Sequence, residues 1–228
     1  VIYAARAFIA DPYFAEKART GREADIDHCM RCLNCFSIHK PLGHFYCAIN
    51  PSSGHEVDLL YDRVPVTPRK VVAAGGGIAG MEAALTAARR GHRVILCEKT
   101  GRLAGILRCE ESLPFKARLA EYLARQARRL AEAGVDIRLN TEVTPAYARQ
   151  IGADVALAAL GAVPILPPIP GINLPHVTGV VDAYQHIDRI RQKVVIIGGG
   201  FAGCELGLYL KTLEKDVSVL EVMPAAAA

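Results

Sequence analysis

An α/β fold with two Rossmann-like nucleotide-binding units, preceded by a cysteine-rich loop, follows from three features of the sequence. The first is a repeat. Lys70-Val-Val-Ala-Ala-Gly-Gly-Gly-Ile-Ala-Gly80 and Lys193-Val-Val-Ile-Ile-Gly-Gly-Gly-Phe-Ala-Gly203 are near copies, 123 residues apart. The second is an acid placed alike in both copies, Glu98 and Glu221, each 23 residues after the first glycine. The third is the run Cys29, Cys32, Cys35 and Cys47 ahead of the first copy.

Each copy reads as an apolar strand, a G-x-G-x-x-G turn, a helix and a second strand. The helices are expected over Met81–Arg90 and Cys204–Leu213, the second strands over Arg93–Cys97 and Val217–Leu220. Gly75 and Gly198 permit the tight turn, and Gly77 and Gly200 let the backbone approach a pyrophosphate. Gly80 and Gly203 let helix and strand pack closely, while the helix N-terminus faces the negative charge. Glu98 and Glu221 are then placed to accept hydrogen bonds from adenosine ribose hydroxyls. One such motif is weak evidence. Two, each with a strand before and an acid after, define two nucleotide sites. No arginine follows Glu221 in Val222-Met223-Pro224 to receive a 2′-phosphate, which favours NADH over NADPH.

Between the copies, Pro114 introduces an amphipathic helix with Leu119, Leu123, Ala127 and Leu130 at helical spacing, closed by Gly134. Val135–Leu139 and Asp154–Leu160 read as strands, the latter buried on both faces. A proline-rich connection then leads to the second copy.

The cysteine spacing is C-x2-C-x2-C-x11-C. Three thiolates bunched in one loop, with a fourth further on, suit a [4Fe–4S] cluster. Zinc more naturally takes two separated C-x2-C pairs; His28, His39 and His44 keep that alternative open. A disulfide framework does not suit seven cysteines in a chain of 228 residues without a signal peptide. Cys97, Cys109 and Cys204 stand singly and read as small core residues.

At 51% apolar and 22% charged, the chain can bury more than one core. The net charge of +4 is modest, and Arg118, Arg125, Arg128 and Arg129 read as a solvated helix face, which argues against nucleic acid as a partner. The uncharged stretch from Val155 to Pro175 holds five prolines, so it reads as no membrane span. Thiols without a secretion signal point to a reducing, cytoplasmic setting.

In combination, the cysteine run, the two glycine fingerprints and their order resemble the C-terminal portion of a family of iron–sulfur flavoenzymes. That family includes 2,4-dienoyl-CoA reductase, enoate reductases and trimethylamine dehydrogenase. An FMN-containing TIM barrel related to old yellow enzyme is there followed by a [4Fe–4S] loop and a glutathione-reductase-like pair of FAD and NAD(P)H domains. The resemblance implies the end of the barrel over residues 1–27, with Val1–Asp11 as its last strand and phosphate loop and Phe14–Asp27 as its final helix. It implies the cluster loop and linker over 28–66, the FAD domain over 67–175 and the start of the NAD(H) domain over 176–228. Arg6 falls near the FMN phosphate, and the four cysteines fall on the cluster ligands. Gly75, Gly77, Gly80 and Glu98 fall on the FAD fingerprint, and Gly198, Gly200, Gly203 and Glu221 on the NADH one. Leu103-Ala104-Gly105 stands where the family usually has Leu-Gly-Gly touching the flavin nucleotide. Ala159-Leu160-Gly161-Ala162 stands for its usual Ala-Thr-Gly-Ala. The family runs to roughly three times this length, so the chain is expected to be a portion of such an enzyme, with Ala225–Ala228 uninformative.

The activity implied is NADH-dependent reduction of an activated C=C bond in an unsaturated acid or acyl-CoA, and a homo-oligomer is compatible with it. No catalytic acid is assigned within this chain. The alternatives are an amine dehydrogenase of the trimethylamine type and an electron-transfer subunit like the small subunit of glutamate synthase.

Overall fold

A computed structural model describes residues 4–37, 43, 45–61 and 67–226 of the chain. Val1–Tyr3 of the expected barrel strand, and His39 and His44 of the zinc alternative, lie outside the described residues. The described residues divide into two compact units: 1–107 with 114–161, and 108–113 with 162–228.

The first unit opens with α1 (Ala5–Ala10) and α2 (Phe14–Arg19), followed by a 3-10 turn at Glu23–Asp25. The described part of the segment expected to hold the last barrel strand and its phosphate loop, Val1–Asp11, is helical from Ala5 to Ala10. Alanines at positions 5, 7 and 10 favour helix, and the residue before Pro12 is kept out of it, so α1 stops at Asp11. The long helix expected over Phe14–Asp27 also breaks, where Gly21 takes a φ of +69°. Two short helices follow, α3 (Asn34–Ser37) and α4 (Glu56–Tyr61).

The nucleotide fold of this unit is a four-stranded parallel sheet in the order β3-β2-β1-β4. Its strands are β1 (Lys70–Ala74), β2 (Arg93–Cys97), β3 (Asp136–Arg138) and β4 (Val155–Ala158). β1 pairs with both β2 and β4, and its last four residues are buried. Continuous apolar runs such as Val71–Ala74 are what a strand covered on both faces requires. The helices are α5 (Ile78–Arg89), α6 (Ala117–Glu132) and α7 (Pro145–Gln150). α6 buries Leu119, Tyr122, Leu123 and Leu130 on one face, against a core containing Met81 of α5 and Leu96 of β2. α5 and α6 end alike. Gly91 and Gly134 take left-handed φ of +87° and +71°, and the next residues, His92 and Val135, donate back to Ala87 and Leu130.

The second unit holds α8 (Val180–Gln185), β5 (Lys193–Ile197), α9 (Phe201–Thr212) and β6 (Asp216–Leu220). β5 and β6 pair in parallel from Lys193↔Asp216 to Ile197↔Leu220. Leu113, Ala183, Tyr184, Leu206 and Leu210 form its core. Cys97 is buried in the first unit, while Cys109 and Cys204 are half-buried. No helix among the described residues is long and apolar enough to cross a membrane.

Candidate functional site

Both fingerprints fold into the same local geometry. Gly75 and Gly198 have φ of +106° and +108°, and their N–H groups donate to Cys97 and Leu220 at 2.8 Å in each case. Only glycine tolerates these turns. A Cβ on Gly80 would lie 1.8 Å from the Gly75 carbonyl oxygen, and one on Gly203 would lie 2.0 Å from that of Gly198. By contrast, a Cβ on Gly77 or Gly200 would meet nothing within 4 Å. The close contacts fall where helix packs on strand, and the open space falls where a phosphate would sit. Gly77 and Gly200 also start α5 and α9, and neither start is closed by a side-chain cap, leaving amide N–H groups for an anion.

The acids are held in matching ways. Glu98 accepts from Gly76 N–H at 2.7 Å and Thr100 N–H at 2.8 Å; Glu221 accepts from Gly199 N–H at 2.6 Å and Met223 N–H at 2.7 Å. Burial pushes the Glu98 carboxyl up, but the N–H groups of Thr100 and Gly76 outweigh it and hold the group below its ordinary value. At Glu221 the N–H groups of Met223 and Gly199 lower it with little opposition. The middle glycines, 76 and 199, are the residues sequence reasoning passed over, though both stand in the Gly-Gly-Gly runs. Their amides aim the acid, and a Cβ on Gly199 would come 3.0 Å from that of Glu221.

Leu103 would touch a Cβ on Gly76 at 2.7 Å, and Ala104 donates to the Gly76 carbonyl at 2.7 Å. Ala104 is buried with φ of +80°, a conformation strained for any residue with a side chain. Gly105 shares the left-handed region and packs near Gly77, whereas Leu160 is 75% exposed and Gly161 has φ of +75°.

The cysteine run forms a separate site in the first unit. Cys29, Cys32, Cys35 and Cys47 line one pocket together with Arg6, Ile9, Met30, Leu33, Ala48 and Ile49. Arg31 and Leu33, on either side of Cys32, have φ of +59° and +57°. These left-handed residues let a short loop turn three thiols toward one place. Arg31 N–H lies 3.5 Å from Cys29 Sγ, and the N–H groups of Ile49 and Asn50 reach Cys47, whose thiol burial nonetheless pushes up. Asn50 anchors this second arm by donating from Nδ2 to the Ile9 carbonyl at 2.8 Å.

No three His, Cys, Asp or Glu side chains among the described residues are gathered tightly enough for a single metal ion. A lone zinc draws four donors to within about 2.3 Å of one point. A cuboidal cluster instead offers an iron to each thiolate, and four cysteines lining one pocket are a donor set of that kind. His28 is not among the lining residues. Arg6, expected near an FMN phosphate, stands at this same pocket.

The solvated helix face expected for the arginines of α6 is corrected in part. Arg118 and Arg128 are exposed, but Arg125 is buried and Arg129 half-buried, and both grip Asp27, two residues ahead of the first cysteine.

Paired glycine turns with uncapped helix starts and carboxylates at the adjoining strand ends define a dinucleotide-binding protein. Residues 69–227 match the pyridine nucleotide-disulphide oxidoreductase family, and the chain belongs to that family, which implies FAD and NADH as its nucleotides. It is 34% identical to an NADH oxidase of Thermoanaerobacter brockii, over 96% of this chain and 34% of that enzyme. It is 33% identical to a cinnamate reductase of Clostridium sporogenes, over 95% of this chain and 32% of the relative. A solved 2-naphthoyl-CoA reductase, in complex with 2-naphthoyl-CoA, superposes with a TM-score of 0.88 at 32% identity, over 97% of this chain and 34% of that one. These similarities bear out the resemblance to the enoate and 2,4-dienoyl-CoA reductases. The chain spans about a third of the length of the curated relatives it matches.

Proposed function

We propose that this chain is the cluster and pyridine-nucleotide portion of an iron–sulfur flavoprotein that uses NADH to reduce an activated C=C bond in an enoate or an enoyl- or dienoyl-CoA. The observation that carries the reading is the pocket lined by all four cysteines in the same compact unit as the first glycine fingerprint. When bound, FAD, a [4Fe–4S] cluster and FMN would supply the hydride acceptance, the one-electron relay and the delivery to substrate that such a reduction needs.

The chain's own residues bind and orient these groups. Cys29, Cys32, Cys35 and Cys47 would ligate the cluster, with the Arg31, Ile49 and Asn50 N–H groups directed at its thiolates. Gly75, Gly77, Gly80 and Glu98, with Leu103, Gly105 and Gly161 nearby, would hold FAD. Gly198, Gly200, Gly203 and Glu221 would hold NADH, and the absence of an arginine after Glu221 favours it over NADPH. Arg6, a cation beside the thiolates, is free of any assigned role in FAD or NADH binding and is kept for the FMN side.

An anaerobic visible spectrum of the holoprotein, with iron, sulfide and flavin analysis and an NADH-driven cinnamate assay, tests this. Stoichiometric iron and sulfide, both flavins and NADH-dependent loss of the double bond are expected. Zinc without sulfide overturns the cluster assignment. An intact cluster without NADH oxidation in the presence of any acceptor favours the amine dehydrogenase, and an intact cluster without FMN favours the electron-transfer subunit.

A further inference from the structure

Outside the sites above, Asp27 accepts three side-chain hydrogen bonds. Its Oδ1 accepts from Arg125 Nε at 2.9 Å and Arg129 Nη1 at 3.1 Å, and its Oδ2 accepts from Arg129 Nη2 at 2.8 Å. Its backbone N–H donates to Asp11 Oδ2 at 3.0 Å, and that carboxylate also takes Lys17 Nζ at 2.6 Å and Tyr13 N–H at 3.0 Å. Lys17 and Arg129 each reach the Asp25 carbonyl as well. The Asp27 side chain is 13% exposed and that of Arg125 is 8% exposed. Helix α6 and the α1–α2 segment therefore meet at one residue ahead of the cysteine loop, the first through the Asp27 carboxylate and the second through its backbone N–H.

Burying such charges costs desolvation, and apolar side chains of similar volume would hold helix to loop about as firmly. What a forked guanidinium on a carboxylate adds is a single orientation. Two residues on, Cys29 and Met30 pack against the same core as Leu119, Tyr122 and Leu123 of α6.

We propose that Asp27, gripped by Arg125 and Arg129, is a positioning residue that seats the cysteine loop on the nucleotide unit and thereby sets the path from FAD to the cluster. The electron-transfer half of this statement rests on the cluster reading above. The seating half does not.

The test is Asp27→Asn in the anaerobic holoprotein. Reduction of FAD by NADH, followed by stopped flow, stays within about twofold of wild type, because neither glycine fingerprint is touched. Transfer from reduced FAD to the cluster slows by about tenfold or more, with iron and sulfide retained. In cluster-free protein, backbone hydrogen exchange over residues 28–37 rises about tenfold while that over 70–80 does not. Arg129→Lys keeps the charge but loses the fork, and gives the same pattern at smaller amplitude, which covers the case in which Asp27→Asn does not fold. Unchanged exchange over 28–37, or equal slowing of both electron-transfer steps, overturns the proposal. A wild-type protein lacking sulfide overturns the cluster reading instead, and the exchange measurement still decides the seating.

Discussion

The two glycine fingerprints are a natural experiment in one chain: nearly the same eleven residues, folded the same way, in different surroundings. The turn glycines agree in φ to within 2°, and the acids accept from equivalent N–H groups. Yet β1 is buried between β2 and β4, with Ala159 O only 2.3 Å from where a Cβ on Gly75 would lie. β5 pairs with β6, and its Val195 and Ile197 are 61% and 63% exposed; a Cβ on Gly198 would meet nothing within 4 Å. Loop geometry is therefore a local property, carried by glycine and by backbone hydrogen bonds. Burial is not local: β1 has a strand on either side, whereas β5 pairs with β6 among the described residues.

The largest predicted effect breaks what the copies share. Gly80→Ala and Gly203→Ala each drive a Cβ into a backbone carbonyl at about 2 Å, and each should cost its unit about 3 kcal/mol in denaturant unfolding. Gly77→Ala should leave stability within about 0.5 kcal/mol, because its Cβ enters open space, yet weaken FAD retention. If Gly77→Ala unfolds the unit, or Gly80→Ala is silent, the division between packing glycines and ligand glycines is wrong.

A smaller effect separates the copies. Their first helices end in the same motif, but Gly91 of the first copy corresponds to Glu214 of the second, which takes φ of +60°. Lys215 donates to Leu210 as His92 does to Ala87. Gly91→Ala should cost about 1 kcal/mol and Glu214→Gly should gain about 1 kcal/mol, since the left-handed conformation is strained for residues with a side chain. Opposite signs in thermal unfolding would confirm the equivalence; matching signs would refute it.

The smallest effect is electrostatic. Glu98 has a lowered folded-state pKa, so its contribution to stability is fully present above the unfolded carboxyl value of about 4.3 and is lost as pH falls through the lowered value. Unfolding midpoints between about pH 5 and about pH 3 should fall less steeply in Glu98→Gln than in wild type. Asp11, also lowered against its burial by Lys17 and by the N–H groups of Asp27 and Tyr13, should supply much of the dependence that remains. Equal slopes in the two proteins would remove Glu98 from this account.

Much of this architecture was legible in the sequence, and the failures are instructive. Strand β1 lies where the apolar run puts it, while helix α5 starts at Ile78, three residues ahead of the expected Met81, because the helix runs through Gly80 and begins directly after the turn. The strand expected over Asp154–Leu160 is shorter, Val155–Ala158, because sheet pairing ends it before Gly161 takes its left-handed turn. At the N-terminus, Ala5–Ala10 of the segment expected to hold a strand and its phosphate loop form helix α1, as alanine propensity favours. The arginines of α6 were read as solvent-facing because the acid that pairs with Arg125 and Arg129 lies about a hundred residues away in sequence.

By itself, then, the sequence determined the two turns, their acids and the order of the elements, since these rest on backbone sterics and short-range hydrogen bonds. Only the tertiary structure decided that four thiols line one pocket and that two arginines of a helix reach Asp27 ahead of them. Those outcomes depend on charges and apolar faces meeting across the fold, where desolvation rather than spacing selects the partner.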